Sequence, residues 1–185
     1  MLEQLRLITF ADSNKTTSKQ RLNYMLNYSK KLLKGRRPIF AYFHPEKDGS
    51  QTFTDGYFLA QLRGNDRVDF NIHNDEIGNY PRTSGLIPSS FSDKQKVDVK
   101  YILNASKSYE YIAIKLESGN YCVLATDLLK KAFTFSNASG EVELKFNGMY
   151  KPVVFESNTG STGVVLPIHH DGDINSDTIL KVEKK

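Results

Sequence analysis

The hydrophobic period of the chain changes in the same order twice, and that order restricts the fold more than any other feature of the sequence. Residues 2–10, Leu-Glu-Gln-Leu-Arg-Leu-Ile-Thr-Phe, suit a strand. From Thr17 to Lys34 the apolar positions shift to helical spacing. At about 100° per residue, Leu22, Met25, Leu26, Ser29, Leu32 and Leu33 share one face. Ser18 or Thr17 is placed to cap this helix and Gly35 to stop it, with Pro38 soon after. The period then falls to two. Pro38–His44 reads as a strand covered on both sides, Asp48-Gly49 as a hairpin turn, and Gln51–Thr54 and Tyr57–Arg63 as short strands. Arg67–Ile72 is a candidate for one more.

The stretch Asn74–Ser92, rich in Asn, Gly, Pro and Ser, reads as a long connecting loop, followed by a weakly patterned helix over Ser92–Ser106. The second half repeats the first. Tyr111–Glu117 and Tyr121–Ala125 are strands around Ser118-Gly119-Asn120. Thr126 caps a helix over Asp127–Phe135 with Leu128, Leu129, Ala132 and Phe135 inward, and three strands follow at Glu141–Phe146, Pro152–Glu156 and Gly163–Ile168. Each half is thus a strand, a helix and three strands, which predicts an α+β fold built from two such units. One domain is expected over residues 1–168: a first half-unit to about 72, a linker or insertion to about 110, and a second half-unit from 111. Residues 169–185 are polar and charged and are expected to form a flexible tail.

Length and charge narrow the function classes. A chain of 185 residues can bury a sizeable core without staples. Its one cysteine, Cys122, lies in the apolar run Tyr121–Leu124 and reads as a small buried hydrophobe. No stretch approaches the ~20 apolar residues of a membrane helix, and the first residues lack a basic segment followed by an apolar one. These features point to an intracellular, cytoplasmic protein. The net charge is only +4, but its placement is uneven: Lys15–Arg37 carries eight basic residues and no acid. Lys19, Lys30, Lys31 and Lys34 fall opposite the apolar face of the first helix, and Arg36 and Arg37 follow it.

Motifs for bond chemistry are missing from the sequence: no phosphate-binding Gly-rich loop with Lys, no nucleophile elbow, no H-E-x-x-H and no paired-cysteine zinc spacing. His169-His170-Asp171-Gly172-Asp173 has metal-binding residue types but reads as a solvated tail, and His44 and His73 sit near turns without a triad pattern. Neither an enzyme nor a cofactor is expected. Asn104-Ala105-Ser106 and Asn137-Ala138-Ser139 match glycosylation sequons that an intracellular chain would leave unused.

Two segments carry a resemblance. Arg37-Pro38-Ile39-Phe40 followed by Phe53-Thr54-Asp55-Gly56-Tyr57-Phe58-Leu59-Ala60 is similar to R-P-[IV]-L, a hairpin, and A-T-D-G-x-x-L-A in the bacterial replicative sliding clamp, the beta subunit of DNA polymerase III. The run Leu128–Ala132, Glu141–Phe146, Asn147–Val153 and Gly163–Ile168 resembles that family's last helix, its K-P-[VF] strand and its V-x-[ML]-P-[MIV] ending. Between them, Asn79-Tyr80-Pro81 and Leu86-Ile87-Pro88 are similar to the family's Y-P…[VIL]-[IL]-P linker. A clamp chain of the family has three such domains and two chains close a ring, whereas the matching segments here make one domain.

The resemblance implies a non-enzymatic processivity factor. Helices line the hole and face double-stranded DNA, which would place Lys19, Lys30, Lys31, Lys34, Arg36, Arg37, Lys130 and Lys131 on the phosphates without sequence readout. It also implies a peptide pocket for a DNA polymerase or another replication protein, carried onto Thr54, Gly56, Tyr57, Phe58, Leu59, Pro88, Val164, Leu166, Pro167 and Ile168. Several copies would have to assemble, as a homo-oligomer of six by the family's pseudo-symmetry, to form a ring. The alternatives are an adaptor or decoy that binds replication peptides without encircling DNA, and an unrelated α+β enzyme.

Overall fold

A computed structural model describes residues 19–83, 85–170, 174 and 179–184. Residues 2–10, read as the first strand, and the caps Thr17 and Ser18 lie outside them. The described chain opens with helix α1, residues 19–33. Strands β1 (His44–Pro45), β2 (Gln51–Thr54) and β3 (Phe58–Leu62) follow, then β4 (Asp93–Asp98), helix α2 (Val99–Ala105), β5 (Tyr111–Lys115), β6 (Tyr121–Ala125) and helix α3 (Thr126–Phe135). The last strands are β7 (Glu141–Phe146), β8 (Val153–Glu156), β9 (Thr162–Val165) and β10 (Ile179–Val182).

Seven strands form one sheet in the order β1-β2-β3-β9-β8-β7-β4, and three form a second in the order β10-β5-β6. The two predicted half-units meet in the middle of the large sheet, where β3 and β9 pair antiparallel with Phe58 opposite Val165 and Ala60 opposite Gly163. Alternation along the strands sorts the faces. Phe53, Phe58, Ala60, Leu62, Phe155 and Val165 turn to the main core under the helices. Leu59, Val154 and Val164 turn to the other face, where Phe91 of the connecting segment covers them. That segment therefore crosses the face of the sheet that the helices leave open.

The core stripe of α1 is rotated from the expected one. Met25 and Ser29 are buried, and Tyr24, Tyr28 and Leu32 pack on the core, while Leu33 is exposed. Residues 21, 24, 25, 28, 29 and 32 form the stripe at i, i+3, i+4 spacing. Tyrosine can bury its ring while its hydroxyl finds a polar partner, so Tyr24 and Tyr28 displace Leu26 and Leu33 from the interior.

Arg21 ties α1 to α3. Its Nε donates to the Thr134 carbonyl (2.9 Å), and its Nη2 donates to the Phe135 carbonyl and to the Asp66 carbonyl (3.2 Å). The last carbonyls of a helix have no partner within it, and a guanidinium there meets both their lone pairs and the negative end of the helix dipole. Burial lowers the Arg21 pKa, with the Asp66 charge opposing. The Asp66 carboxylate is itself buried. It accepts from Asn137 Nδ2 (2.9 Å), Ser161 Oγ (2.6 Å) and Thr159 Oγ1, joining the end of β3 to the β8–β9 turn and to the end of α3.

Several expectations are corrected. Pro38–His44 is not one strand: Pro38–Ala41 forms a 3-10 turn, because proline fixes φ near the helical value and donates nothing to a ladder, and of these residues His44 alone enters β1. Arg67–Ile72 is no strand either; the Gln51 side chain bonds both backbone groups of Val68 at 2.8 Å and so replaces a neighbouring strand. The helix read over Ser92–Ser106 is a strand for its first half, and Asp98 then caps α2 by accepting from the Tyr101 N–H (3.0 Å). Residues 73–110 are thus not all linker, since β4 completes the large sheet beside β7. Thr126 does not cap α3 but donates to the Tyr109 carbonyl (2.7 Å).

The tail also differs from expectation. Ile179–Val182 is strand β10, parallel to β5, so these four residues are ordered in the sheet. Lys184 pairs with Asp93 and with Glu117 (3.2 Å), and Tyr121 donates to Glu183 (2.7 Å). The rest of the expected motif there, Asp171 to Asp173, lies outside the described residues. Cys122 is buried as expected, and burial pushes its thiol up to about 12.

Two predictions follow from these contacts. Asp66→Ala leaves three donors unpaired and should cost about 3 kcal/mol, read as a lower urea midpoint at unchanged slope. Burial opposes ionisation of Asp93, but Lys184 and the N–H groups of Glu117 and Lys94 outweigh it and hold the carboxyl below its ordinary value. A depressed folded pKa means this stabilisation is present above about pH 4 and is lost as pH falls through the folded value. The protection factors of the β10 amides should drop on acidification before those of β3, and Lys184→Met should abolish that difference.

Candidate functional site

Two surfaces lie on opposite faces of the large sheet. The first is the outer side of the helices. Helices α1 and α3 lie side by side and antiparallel, with Tyr24 and Tyr28 edge-on to Phe135 at ring separations of 6.3 and 5.9 Å. On α1, Lys19, Lys30 and Lys31 are exposed, away from the core stripe, and Lys34, Arg36 and Arg37 are exposed beyond its end. Lys130 of α3 is exposed as well. Lys131 differs: it turns between the helices, paired with Asp127 at 2.6 Å and lying 5.1 Å over the Tyr28 ring. Helix α2 packs beside α3 and adds the exposed Lys100, and the turn after it adds the exposed Lys107, two cations outside the acid-free run. Arg21 belongs to the acid-free run but is engaged at the end of α3.

The second surface is a cleft at the β2–β3 turn on the other face. Seven of the ten expected pocket residues line it: Thr54, Gly56, Tyr57, Phe58, Leu59, Val164 and Leu166. Pro88 and Pro167 do not. Ile168 is moored elsewhere, its N–H donating to the Val123 carbonyl of β6 (2.8 Å). The structure adds Phe40, Pro81, Arg82, Thr83, Leu86 and Pro152. Tyr80-Pro81 was a legible signal for this wall, since it was matched to the family linker; Phe40 enters only because Pro38 coils its segment.

The cleft holds about 160 Å³, less than the ~300 Å³ at which drug-sized pockets begin, so it suits one or two side chains of a longer ligand. Its walls stay partly exposed: Tyr57 at 66%, Leu86 at 43% and Leu166 at 39%. An open apolar patch of this kind marks an interaction site rather than a core.

The turn between β2 and β3 connects the two surfaces. Asp55 Oδ1 accepts from the N–H groups of Tyr57 (2.9 Å) and Phe58 (3.1 Å), while Asp55 Oδ2 accepts from the Tyr28 hydroxyl (2.5 Å). Thr54 Oγ1 donates to the Phe58 carbonyl (2.7 Å) and accepts from the Gly56 N–H (3.1 Å). Gly56 has φ +93°, which side chains disfavour, and an added Cβ would meet the Phe40 ring at 3.5 Å. Burial first, and then the bond to Asp55, raise the Tyr28 pKa well above the ordinary tyrosine value, so the hydroxyl remains a donor.

The two histidines have a different task. His44 Nδ1 and His73 Nδ1 lie 3.0 Å apart, and His73 Nε2 meets the Gly78 carbonyl at 2.7 Å. A carbonyl only accepts, so His73 carries its proton on Nε2 and accepts from His44. Tyr80 stacks on His44 at 4.8 Å and donates to the Thr52 carbonyl. The group pins the start of the connecting segment to β1 and β2. Among the described residues, no cluster of three or more His, Cys, Asp or Glu is arranged to hold a metal, and no helix is long and apolar enough to cross a membrane.

This fold is that of a sliding-clamp domain. It is similar to the sliding clamp of Bacillus subtilis at 15% identity and TM-score 0.50, covering 74% of this chain and 58% of that one. The DNA polymerase III beta subunit of Caulobacter crescentus matches at 11% and 0.50, over 70% of this chain and 58% of that one. The sliding clamp of Bartonella birtlesii bound to griselimycin matches at 13% and 0.50, over 70% and 57%. The likeness is one of fold, and this chain spans less than two thirds of the length of those clamps. No family model matches the sequence, and no curated protein does.

Tyr28→Phe should cost about 1.5–3 kcal/mol, the worth of a hydrogen bond to a charged group, measured by urea unfolding. The amide resonances of Tyr57 and Phe58 should shift with it, because the turn loses its brace.

Proposed function

We propose that the protein is a non-enzymatic, clamp-like processivity factor of the cytoplasm that holds duplex DNA on its helix face and a peptide of a polymerase or other replication protein in the cleft. The observation that carries this reading is the separation of the two surfaces. An exposed basic face with no acid on α1 and an open apolar cleft lie on opposite sides of one sheet, each fitted to a different partner. Lysines without base-reading side chains suit contact with phosphates regardless of sequence, as sliding requires. Lys19, Lys30, Lys31, Lys34, Arg36, Arg37 and Lys130 make this face, with Lys131 acting through the helix pair. A ring would be a homo-oligomer of this chain.

A specific feature favours a second reading, an adaptor that binds replication peptides without encircling DNA. Among the described residues, both edges of the large sheet are guarded against pairing with another copy. β1 is two residues long and includes Pro45, and β4 carries Lys94 and Lys96, paired across to Glu143 and Glu141.

One experiment separates the two. The chain is mixed with circular and linear duplex DNA across a salt series, and its mass is measured with and without DNA. A clamp gives one discrete oligomer, retained on circles and lost from linear ends. Changing Lys30, Lys31 and Lys34 together to Glu should weaken binding and reduce the slope of log K against log salt by about 0.9 per lost phosphate contact. An unchanged slope would remove the helix face from the proposal, and a monomer that still binds peptide would establish the adaptor.

A further inference from the structure

The cleft has a charge character that its apolar walls conceal. Among the described residues that line it, Arg82 alone is charged and none is a carboxylate. Arg82 is exposed and has no ion-pair or hydrogen-bond partner among the described residues. Behind the wall, the Arg37 guanidinium lies 5.8 Å over the ring of Phe40, which itself lines the cleft. The acid beside the β2–β3 turn, Asp55, is turned to α1 and the turn backbone, with both oxygens engaged, and Asp75 shares a separate hollow with Arg82 outside the cleft.

A second hollow continues from the first. It shares Leu59 and Thr83 with the cleft and extends past His44 and Lys47. Of its acids, Asp48 pairs with Arg63 at 3.1 Å and accepts from Ser50, while Glu46 accepts only from the neutral Thr52 Oγ1 at 2.6 Å and keeps its charge. Lys47 is exposed and has no partner among the described residues. An extended chain leaving the apolar cleft passes Arg82 at the rim, and beyond it Lys47 lies beside the charged Glu46, so the rim is where a cation stands unopposed.

We infer that the occupant of the cleft is an extended acidic peptide segment, with two apolar side chains at i and i+2 in the cleft and a carboxylate beside them on Arg82. Residues two apart point to the same side of an extended chain, which matches a cleft built on one face of a sheet. Arg82 adds discrimination more than affinity: a lysine-bearing segment would meet a like charge at the rim, while an acidic one replaces water with a partner. This inference rests on the peptide-binding reading of the cleft and adds the chemistry of the ligand to it.

The test uses two fluorescein-labelled nine-residue peptides that share Leu and Phe two positions apart, one flanked by Glu-Glu and the other by Lys-Lys. Anisotropy titrations with the full chain should show the glutamate peptide binding about three- to five-fold more tightly at low salt, with the ratio shrinking as salt rises. Arg82→Glu should invert the order; Arg82 is exposed, so an unchanged urea midpoint will confirm that the variant is folded. Leu166→Asp should weaken both peptides. Lys181→Glu, on β10, should leave the ratio as it is, and a shift as large as that of Arg82→Glu would reduce the effect to overall charge and overturn the inference. Equal affinities that both fall with Leu166→Asp would also overturn it while leaving the apolar cleft standing. Failure of both peptides to bind would remove the cleft reading and this inference with it.

Discussion

The Asp55 carboxylate is the contact on which the arrangement of surfaces depends. One oxygen holds the turn between β2 and β3, and the other holds the hydroxyl of Tyr28 on α1. A turn stabilised only by its own backbone could tilt, and Gly56 and Tyr57 would move with it. Here the turn is fixed to a helix that is packed on the core by Met25, Tyr28 and Leu32. Burial and the bond to Asp55 raise the tyrosine pKa, which keeps its hydroxyl a donor to the carboxylate. The cleft on one face and the cationic helix on the other are therefore parts of one rigid unit.

The helix pair has its own lock, and it explains a division among the basic residues. Arg21 and Lys131 spend their charge inside the protein, one on the end of α3 and one on Asp127 and the Tyr28 ring. The remaining cations of α1 are left to solvent. A basic segment is thus not a uniform patch. Its inward members set the angle between helices, and its outward members create the field that a polyanion would meet.

Much of this was legible in the sequence, and the failures have physical causes. The order of α1, β2, β3, α3, β7, β8 and β9 follows from hydrophobic period alone, and seven of the ten residues that the resemblance assigned to a pocket line one cleft. Pattern reading failed where a side chain did the work of backbone, as when Gln51 satisfied Val68, or where one residue overrode its neighbours, as Pro38 did. It failed on α1 because leucine was ranked above tyrosine as a core residue, although Tyr28 has a buried-side partner in Asp55 that only the folded chain supplies. It failed at Ile179–Val182 because the strand is short, follows a polar stretch and is recruited by the edge of β5. Arg82 and Phe40 became visible as cleft residues only once the connecting segment had been seen to cross the sheet.

The pairing of β3 with β9 in the middle of the large sheet has a consequence for how the molecule comes together. These neighbours are about a hundred positions apart in sequence, and Asp66 bridges similar separations to Thr159 and Ser161. Such contacts form only after a long loop has closed, which slows folding and makes it all-or-none. Neither half can complete its sheet alone, since each lacks the strand that seals its inner edge. A chain severed between the two halves would therefore behave as a pair of complementing fragments, silent apart and native only when reunited.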